Sequence, residues 1–174
     1  MENLAYLSIG SNIDAGENLK RALQELSVIG RIRSISSVWE TEPVGYEDQP
    51  RFLNAVLALE TPALLEDLIT EELPRIERKL GRVRGGNKFG PRTIDLDLIL
   101  FNDFAGVCEG HRIPSPEIDS RPFVGIPLAE IAGQRVHPVH GVSFSELASR
   151  FVVAPGEMLL RPEIEFPELV RPNY

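Results

Sequence analysis

The stretch 81–101 constrains this chain more than any other. A glycine-rich cationic loop, Gly81-Arg82-Val83-Arg84-Gly85-Gly86-Asn87-Lys88-Phe89-Gly90-Pro91-Arg92, runs straight into Thr93-Ile94-Asp95-Leu96-Asp97-Leu98-Ile99-Leu100-Phe101. The second half reads as a strand over 93–101, short and bounded by a glycine- and proline-rich turn signal. After its two aspartates it is almost wholly apolar, the pattern of a strand covered on both faces, so a central place in a sheet is expected. Side chains alternate along a strand, which puts Asp95 and Asp97 on one face, roughly 7 Å apart along the chain. The fold must therefore contain a sheet that presents two carboxylates beside a loop of positive charge.

The segments before it supply the rest of that sheet. Residues 4–9 read as a short apolar strand that breaks at Gly10-Ser11-Asn12. Asp14 is placed to cap a helix with Leu19, Ala22, Leu23 and Leu26 on one face, stopping at Gly30. Residues 31–41 read as one strand with imperfect alternation, and 42–50 as a proline-bracketed loop. In the strand 52–61, Leu53, Ala55, Leu57 and Leu59 point one way, while Phe52 and Asn54 share the other face. A second helix spans 63–80, and Pro74 inside it predicts a kink, since an interior proline costs about 3 kcal/mol. Beyond Asn102 prolines accumulate, and Ser143 with Glu146 has capping-box spacing for a short helix ending near Phe151. The order β-α-β-β-α-β is that of an α+β, ferredoxin-like core: an antiparallel sheet with both helices on one face, plus irregular C-terminal elements. One domain is expected over 1–151, with 152–174 an extended, proline-rich, peripheral tail.

Charge is distributed unevenly. Between positions 75 and 92 stand seven Lys or Arg side chains against one acid, Glu77, in a chain of formal net charge −8. That concentration points to a local anionic ligand rather than a generally basic surface. Paired carboxylates are hard oxygen ligands suited to Mg²⁺, and arginines with Mg²⁺ are the equipment of phosphoryl or pyrophosphoryl transfer. Asp-x-Asp alone is more often a pair of surface acids neutralised by nearby arginines; the adjoining loop tips the balance toward function. No G-x-x-x-x-G-K-[ST] occurs, which argues against a P-loop kinase. Phe52 and Asn54 together could stack on a flat heterocycle and read its edge, although a core Phe beside a structural Asn is the commoner use of such a pair. His137 and His140 lack the third or fourth ligand of a zinc site, so a turn or surface role is favoured. Cys108 is the sole cysteine, which excludes an internal disulfide and is compatible with a cytoplasmic location. No apolar run reaches the length of a membrane span, and the acidic balance argues against a nucleic-acid binder.

Four linked motifs carry a resemblance: Leu7-Ser8-Ile9-Gly10-Ser11-Asn12; Glu40-Thr41-Glu42-Pro43-Val44-Gly45; Asp48-Gln49-Pro50 with Phe52-Leu53-Asn54-Ala55; and Gly90-Pro91-Arg92-Thr93-Ile94-Asp95-Leu96-Asp97. In this order and spacing the chain resembles the hydroxymethyldihydropterin pyrophosphokinases of folate biosynthesis over roughly its first three quarters. The resemblance implies transfer of the β,γ-pyrophosphoryl unit of ATP to the hydroxymethyl oxygen of the dihydropterin, with release of AMP. It implies two Mg²⁺ ions on Asp95 and Asp97, and Arg82 and Arg92 on the transferring phosphates. Arg84, Arg121 and Glu77 fall on the nucleotide side. The pterin would stack between Phe52 and Phe123, be read by Asn54 and the backbone from Thr41 through Pro43 to Val44, and be closed over by Phe89. The chain departs from the family pattern at Phe89, where tryptophan is usual, and at Ser115, where members often carry histidine between two prolines. The partners implied are the two small substrates, with no nucleic acid or membrane; a monomer is compatible with the sequence. The competing class is a ferredoxin-like module that binds single-stranded RNA or a pterin without catalysis. It is opposed by the acidic net charge, the missing Lys/Arg-Gly-aromatic run and the intact Arg82, Arg92, Asp95 and Asp97.

Overall fold

The structure, a computed structural model, describes residues 1–83 and 85–170. In chain order the elements are β1 (Asn3–Ser11), α1 (Ala15–Ile29), β2 (Arg31–Ile35), β3 (Trp39–Thr41), β4 (Phe52–Thr61), α2 (Leu65–Asp67), a π-helical turn (Leu68–Glu72) and α3 (Leu73–Lys79). Then follow β5 (Asp95–Phe101), the hairpin β6 (Gly106–Cys108) and β7 (His111–Ile113), α4 (Glu117–Ser120), α5 (Pro122–Ala132), α6 (Phe144–Ser149) and β8 (Met158–Leu160). The main sheet runs β5-β1-β4-β3-β8, with β2 also paired to β4. All its pairings are antiparallel, so the fold is α+β with the expected ferredoxin-like core.

One cluster of buried side chains lies between the sheet and the helices α1 and α3: Leu7 and Ile9 of β1, Leu57 and Leu59 of β4, Leu23 and Leu26 of α1, Leu68 and Ile76. The four residues expected on the buried face of α1 are all buried. Asp14 precedes that helix in a left-handed conformation and makes no side-chain cap. A second cluster on the opposite face joins Tyr6, Val56, Ala58 and Ile99 to Val124, Leu128, Phe144 and Leu147. Of that second layer α6 was legible in the sequence, its Ser143 hydroxyl accepting the Glu146 N–H at 3.1 Å as the capping-box spacing predicts, and α5 was not. Helix α5 carries Pro122 and Pro127, which read as loop signals; Pro122 stands in the first turn, where its missing N–H costs nothing.

Three further expectations are corrected. The strand 93–101 is not central: β5 begins at Asp95 and, among the described residues, pairs only with β1, at the edge of the sheet. It is apolar because both faces are covered, and its outer edge is partly sealed where the Ser115 N–H donates to the Ile99 carbonyl at 2.9 Å. Residues 31–41 form two strands on β4, β2 and β3, with a register shift between Ile32 and Ser34 that accounts for the imperfect alternation. Across the break, Ser36 keeps the ladder going: its N–H donates to the Val56 carbonyl at 2.8 Å and its Oγ accepts from the Val56 N–H at 2.9 Å. The helix of 63–80 is interrupted as expected, by a π turn ahead of Pro74. The Leu73 N–H reaches back to the Leu68 carbonyl, a spacing that accommodates a ring with no N–H to give.

The segment after Phe151 contributes more than a peripheral tail would. β8 extends the sheet beside β3, and Phe166 enters the main core with Ile164, Leu169 and Val170 packed around it. Among the described residues no helix is long and apolar enough to cross a membrane.

Candidate active site

Register brings the site together. Gly10 of β1 pairs with Asn54 of β4 on one side and with Asp95 of β5 on the other, so the three stand in one row across the sheet. Ser8 pairs in the same way with Val56 and Asp97. Directly opposed residues project to one face. Asn54, Asp95 and Asp97 therefore emerge together, at the end of that face beyond the cover of the second helical layer. The pocket there is walled by Thr41, Val44, Phe52 and Asn54 on one side, by Arg92, Asp95, Asp97 and Arg121 on the other, and by Phe89 and Phe123. Gly10 floors it because a methyl group there would stand 2.8 Å from Asn54 Oδ1. The Asn54 amide in turn donates to Thr41 Oγ1 at 2.6 Å, a buried bond that orients it.

On the cationic side, Asp95 is shared by two arginines. Arg82 Nη1 donates to Oδ1 at 2.5 Å and Arg92 Nη1 donates to Oδ2. Arg82 is also paired with Glu77, which is 2% exposed and accepts the Leu96 N–H at 3.0 Å. Burial works against the Arg82 charge, but Asp95 and Glu77 outweigh it and hold the guanidinium above its ordinary range. Asp97 is in the opposite situation. Burial of the carboxyl, then the nearby charges of Asp95, Glu117 and Glu77, push its pKa up to about 7, with Arg82 opposing. Solvent reaches its side chain from the pocket mouth, so water screens part of that crowding. Among the described residues none donates a hydrogen bond to it. A crowded, unpaired carboxylate beside a second one, both supplying hard oxygen, is a donor set that fits Mg²⁺.

Two residues that the sequence reading passed over lock the loops around this pocket. Asn12, 5% exposed, accepts the Arg92 N–H on Oδ1 at 2.8 Å and donates to Gln49 Oε1 at 2.9 Å and to the Pro50 carbonyl at 3.0 Å. Gln49 donates to the carbonyls of Phe89 at 2.5 Å and Tyr46 at 2.7 Å. The cationic loop and the proline-bracketed loop thus close on one another. Phe89 packs on Gly45, whose φ of 86° and lack of a side chain both matter: a methyl there would meet the ring at 2.9 Å. Asn12 and Gln49 stand inside two of the linked motifs, and an amide in each of two glycine- and proline-marked turns is the signal that could have found them.

Of the expected site residues, Thr41, Val44, Phe52, Asn54, Phe89, Arg92, Asp95, Asp97, Arg121 and Phe123 line the pocket. Glu77 and Arg82 line an adjoining hollow on the far side of β5, with Asp95, Asp97, Pro74 and His111. Pro43 is not on either wall, and Arg84 lies outside the described residues. Ser8 and Glu117 complete the pocket without having been expected, and Glu42 comes with the 41–44 stretch. Ser115 faces another hollow, and it is His111 that shares a wall with the two aspartates. The ligand atoms of Asp119, His137 and His140 lie within 4.8 Å of one another. His137 Nδ1 already accepts the N–H groups of Val139 and His140, each at 3.2 Å, and His140 Nε2 sits 2.6 Å from Asp119. The His137 ring is thereby held with its proton on Nε2, which suits a pinned turn and not a metal ligand.

The profile of 7,8-dihydro-6-hydroxymethylpterin-pyrophosphokinase (HPPK) matches residues 6–133. The 2-amino-4-hydroxy-6-hydroxymethyldihydropteridine pyrophosphokinase of Bacillus subtilis is 42% identical over 137 residues, covering 77% of this chain and 81% of that one. The protein of the same name from Aquifex aeolicus is 32% identical over 151 residues, covering 86% and 93%. Among solved structures, wild-type Plasmodium falciparum HPPK-DHPS with pteroate superposes with a TM-score of 0.68 at 15% identity. It covers 86% of this chain, which spans only 44% of the length of that protein; the likeness bears on the fold alone.

Proposed function

The chain belongs to the 7,8-dihydro-6-hydroxymethylpterin-pyrophosphokinase family, and on that premise we propose how its pocket performs the reaction. The protein is an ATP-dependent pyrophosphokinase of folate biosynthesis, transferring pyrophosphate from ATP to the hydroxymethyl group of the dihydropterin. The pterin hydroxymethyl oxygen bonds to the β-phosphorus, the bridge between α- and β-phosphates breaks, AMP leaves and the hydroxyl proton is released. Nucleophile and electrophile both belong to substrates, so the protein contributes position and charge.

In our reading the pterin lies between Phe52 and Phe123, with Asn54 set by Thr41 to bond its edge and with Phe89 and Val44 at the mouth. The triphosphate lies along the arginine side. Arg92 on the pocket wall and Arg82 in the adjoining hollow both bond to Asp95, and in our reading they turn to the phosphate oxygens, since guanidinium groups make the same paired bonds to phosphate as to carboxylate. Arg121, and Arg84 by its place in the motif, add nucleotide contacts. Glu77 holds Arg82 from behind, and the adjoining hollow beside His111 offers room for the nucleoside. Asp95 and Asp97 would hold Mg²⁺, two ions in our reading, whose charge offsets that of the phosphates. An unpaired Cys108 and the use of ATP fit a cytoplasmic location.

The single observation that carries this assignment is the row Asn54–Gly10–Asp95, which sets a heterocycle-reading amide and an arginine-clamped carboxylate in one cleft. The test is to incubate the protein with Mg²⁺, ATP and 6-hydroxymethyl-7,8-dihydropterin. AMP and the pterin diphosphate should form one for one, and Asp95→Ala or Asp97→Ala should remove most turnover without altering the thermal melt enough to indicate unfolding. ADP in place of AMP would contradict the reaction, and undiminished turnover in both variants would remove the aspartates from it.

A further inference from the structure

The pterin side of the pocket rests on a part of the chain that the family profile does not reach. The profile ends at residue 133, whereas β8 lies at Met158–Leu160. β3, only three residues long, carries Thr41 and leads into Glu42, both on the pocket wall. On its inner side it pairs with β4, Thr41 opposite Phe52 and Trp39 opposite Asn54. On its outer side it pairs with β8, Thr41 opposite Met158 and Trp39 opposite Leu160. The Arg161 N–H extends that ladder to the Val38 carbonyl at 2.9 Å. Without β8, a three-residue edge strand flanked by a proline-rich loop would have to hold the Thr41 hydroxyl that orients Asn54.

One side chain ties these pieces together. Arg51, the residue before Phe52, donates through Nη2 to the carbonyls of Gly156 at 2.8 Å and Glu157 at 3.4 Å. Its Nη1 donates to Glu42 Oε1 at 3.3 Å. Its Nε lies 3.2 Å from Glu40 Oε1, an ion pair whose angle falls short of a hydrogen bond and leaves that buried N–H unmatched. Glu40 is gripped from the other side by Arg161, which also pairs with Glu163 at 2.6 Å. Farther along, Phe166 is 7% exposed in the main core, anchoring the strap that these contacts fasten.

We propose that Arg51 is a positioning residue for the pterin, acting by fastening the 156–163 strap to the strand pair that carries Thr41, Phe52 and Asn54. It touches no reacting atom. Its guanidinium bonds to the Glu42 carboxylate and to the backbone carbonyls of Glu40, Gly156 and Glu157, with the Glu40 carboxylate alongside, a task for which lysine offers only a point charge. Because Arg51 bonds to Glu42, Glu40 and the strap and to none of Arg82, Arg92, Asp95 and Asp97, its loss should fall mainly on the pterin. The proposal rests on the pterin assignment made above.

The experiment compares Arg51→Met, Arg51→Lys and Arg161→Met with Phe52→Ala as the reference for pterin binding. Each is measured by steady-state kinetics with either substrate varied, by calorimetric binding of the dihydropterin in the presence of a non-hydrolysable Mg-ATP analogue, and by thermal melting. Arg51→Met should raise the pterin KM and Kd about tenfold while the ATP KM stays within about twofold. Arg51→Lys should recover part of that loss, and Arg161→Met should move the pterin KM in the same direction by less. An unchanged pterin Kd in Arg51→Met, or equal rises in both KM values, overturns the positioning role. If Arg51→Met does not fold, Arg51→Lys and Arg161→Met decide it by the same split. If Phe52→Ala also binds pterin normally, the pterin assignment itself has failed; if only Phe52→Ala weakens binding, the assignment stands and the strap has no part in it.

Discussion

Glu77 offers the sharpest test of how the arginine side is built. Its carboxylate is 2% exposed and serves both the backbone N–H of Leu96 and the guanidinium of Arg82, whose side chain is itself only 18% exposed. Truncation to alanine removes both roles at once. Breaking a buried pair by deleting one partner costs about 3–5 kcal/mol, and Arg82 keeps Asp95, so the low end, about 3 kcal/mol, applies. Part of that is the stranded Leu96 N–H, worth about 1–3 kcal/mol when unsatisfied. Glu77→Gln keeps an acceptor oxygen for Leu96 and loses only the charge, so it should cost about 1–2 kcal/mol. At about 2–4 °C per kcal/mol for a chain of this size, the alanine variant should melt roughly 6–12 °C lower and the glutamine variant roughly half as far. Urea and thermal unfolding of the ligand-free variants measure both. Equal losses in the two would show that the Leu96 bond carries nothing. Losses under about 1 kcal/mol in both would refute the buried network.

The remaining predictions concern the carboxylates and the two loops. The Asp97 pKa, pushed up to about 7, stands above the unfolded value of about 3.9, so the folded state holds a proton that the unfolded chain has released. Stability of the ligand-free protein should therefore fall as pH rises from about 4 to about 7, and Asp97→Asn should flatten that slope in a series of thermal melts. Mg²⁺ must displace the same proton, so calorimetry should find its apparent affinity rising with pH toward about 7 and level above it; a flat profile would exclude Asp97 as a ligand. Gly45→Ala forces a side chain into a left-handed conformation, at about 1–2 kcal/mol, and against Phe89, so the pterin KM should rise with little change in the far-ultraviolet spectrum. Gln49→Ala cuts the ties to Asn12, Tyr46 and Phe89, and amide exchange of the 85–90 stretch should quicken; unchanged protection would mean the two loops are held by other contacts.

What the sequence determined by itself was local and periodic. Strand alternation alone put Asp95 and Asp97 on one face, the spacing of Leu19, Ala22, Leu23 and Leu26 marked the buried side of α1, and Pro74 announced a disturbed helix. These follow from geometry within a few residues of chain, so they can be read without knowing what lies opposite. The tertiary structure decided everything that depends on register. It set Asp95 and Asn54 on either side of Gly10, moved β5 from the expected centre to the edge, and split 31–41 at the shift between Ile32 and Ser34. It also made Asn12, Gln49 and Arg51 into fasteners, since each joins segments from 37 to 106 residues apart. α5 escaped notice because its prolines signal loops, and β8 because its pairing energy comes from β3, more than a hundred residues earlier. A strand or a polar anchor whose partners are distant leaves no pattern in its own neighbourhood, and only the folded chain brings the partner within reach.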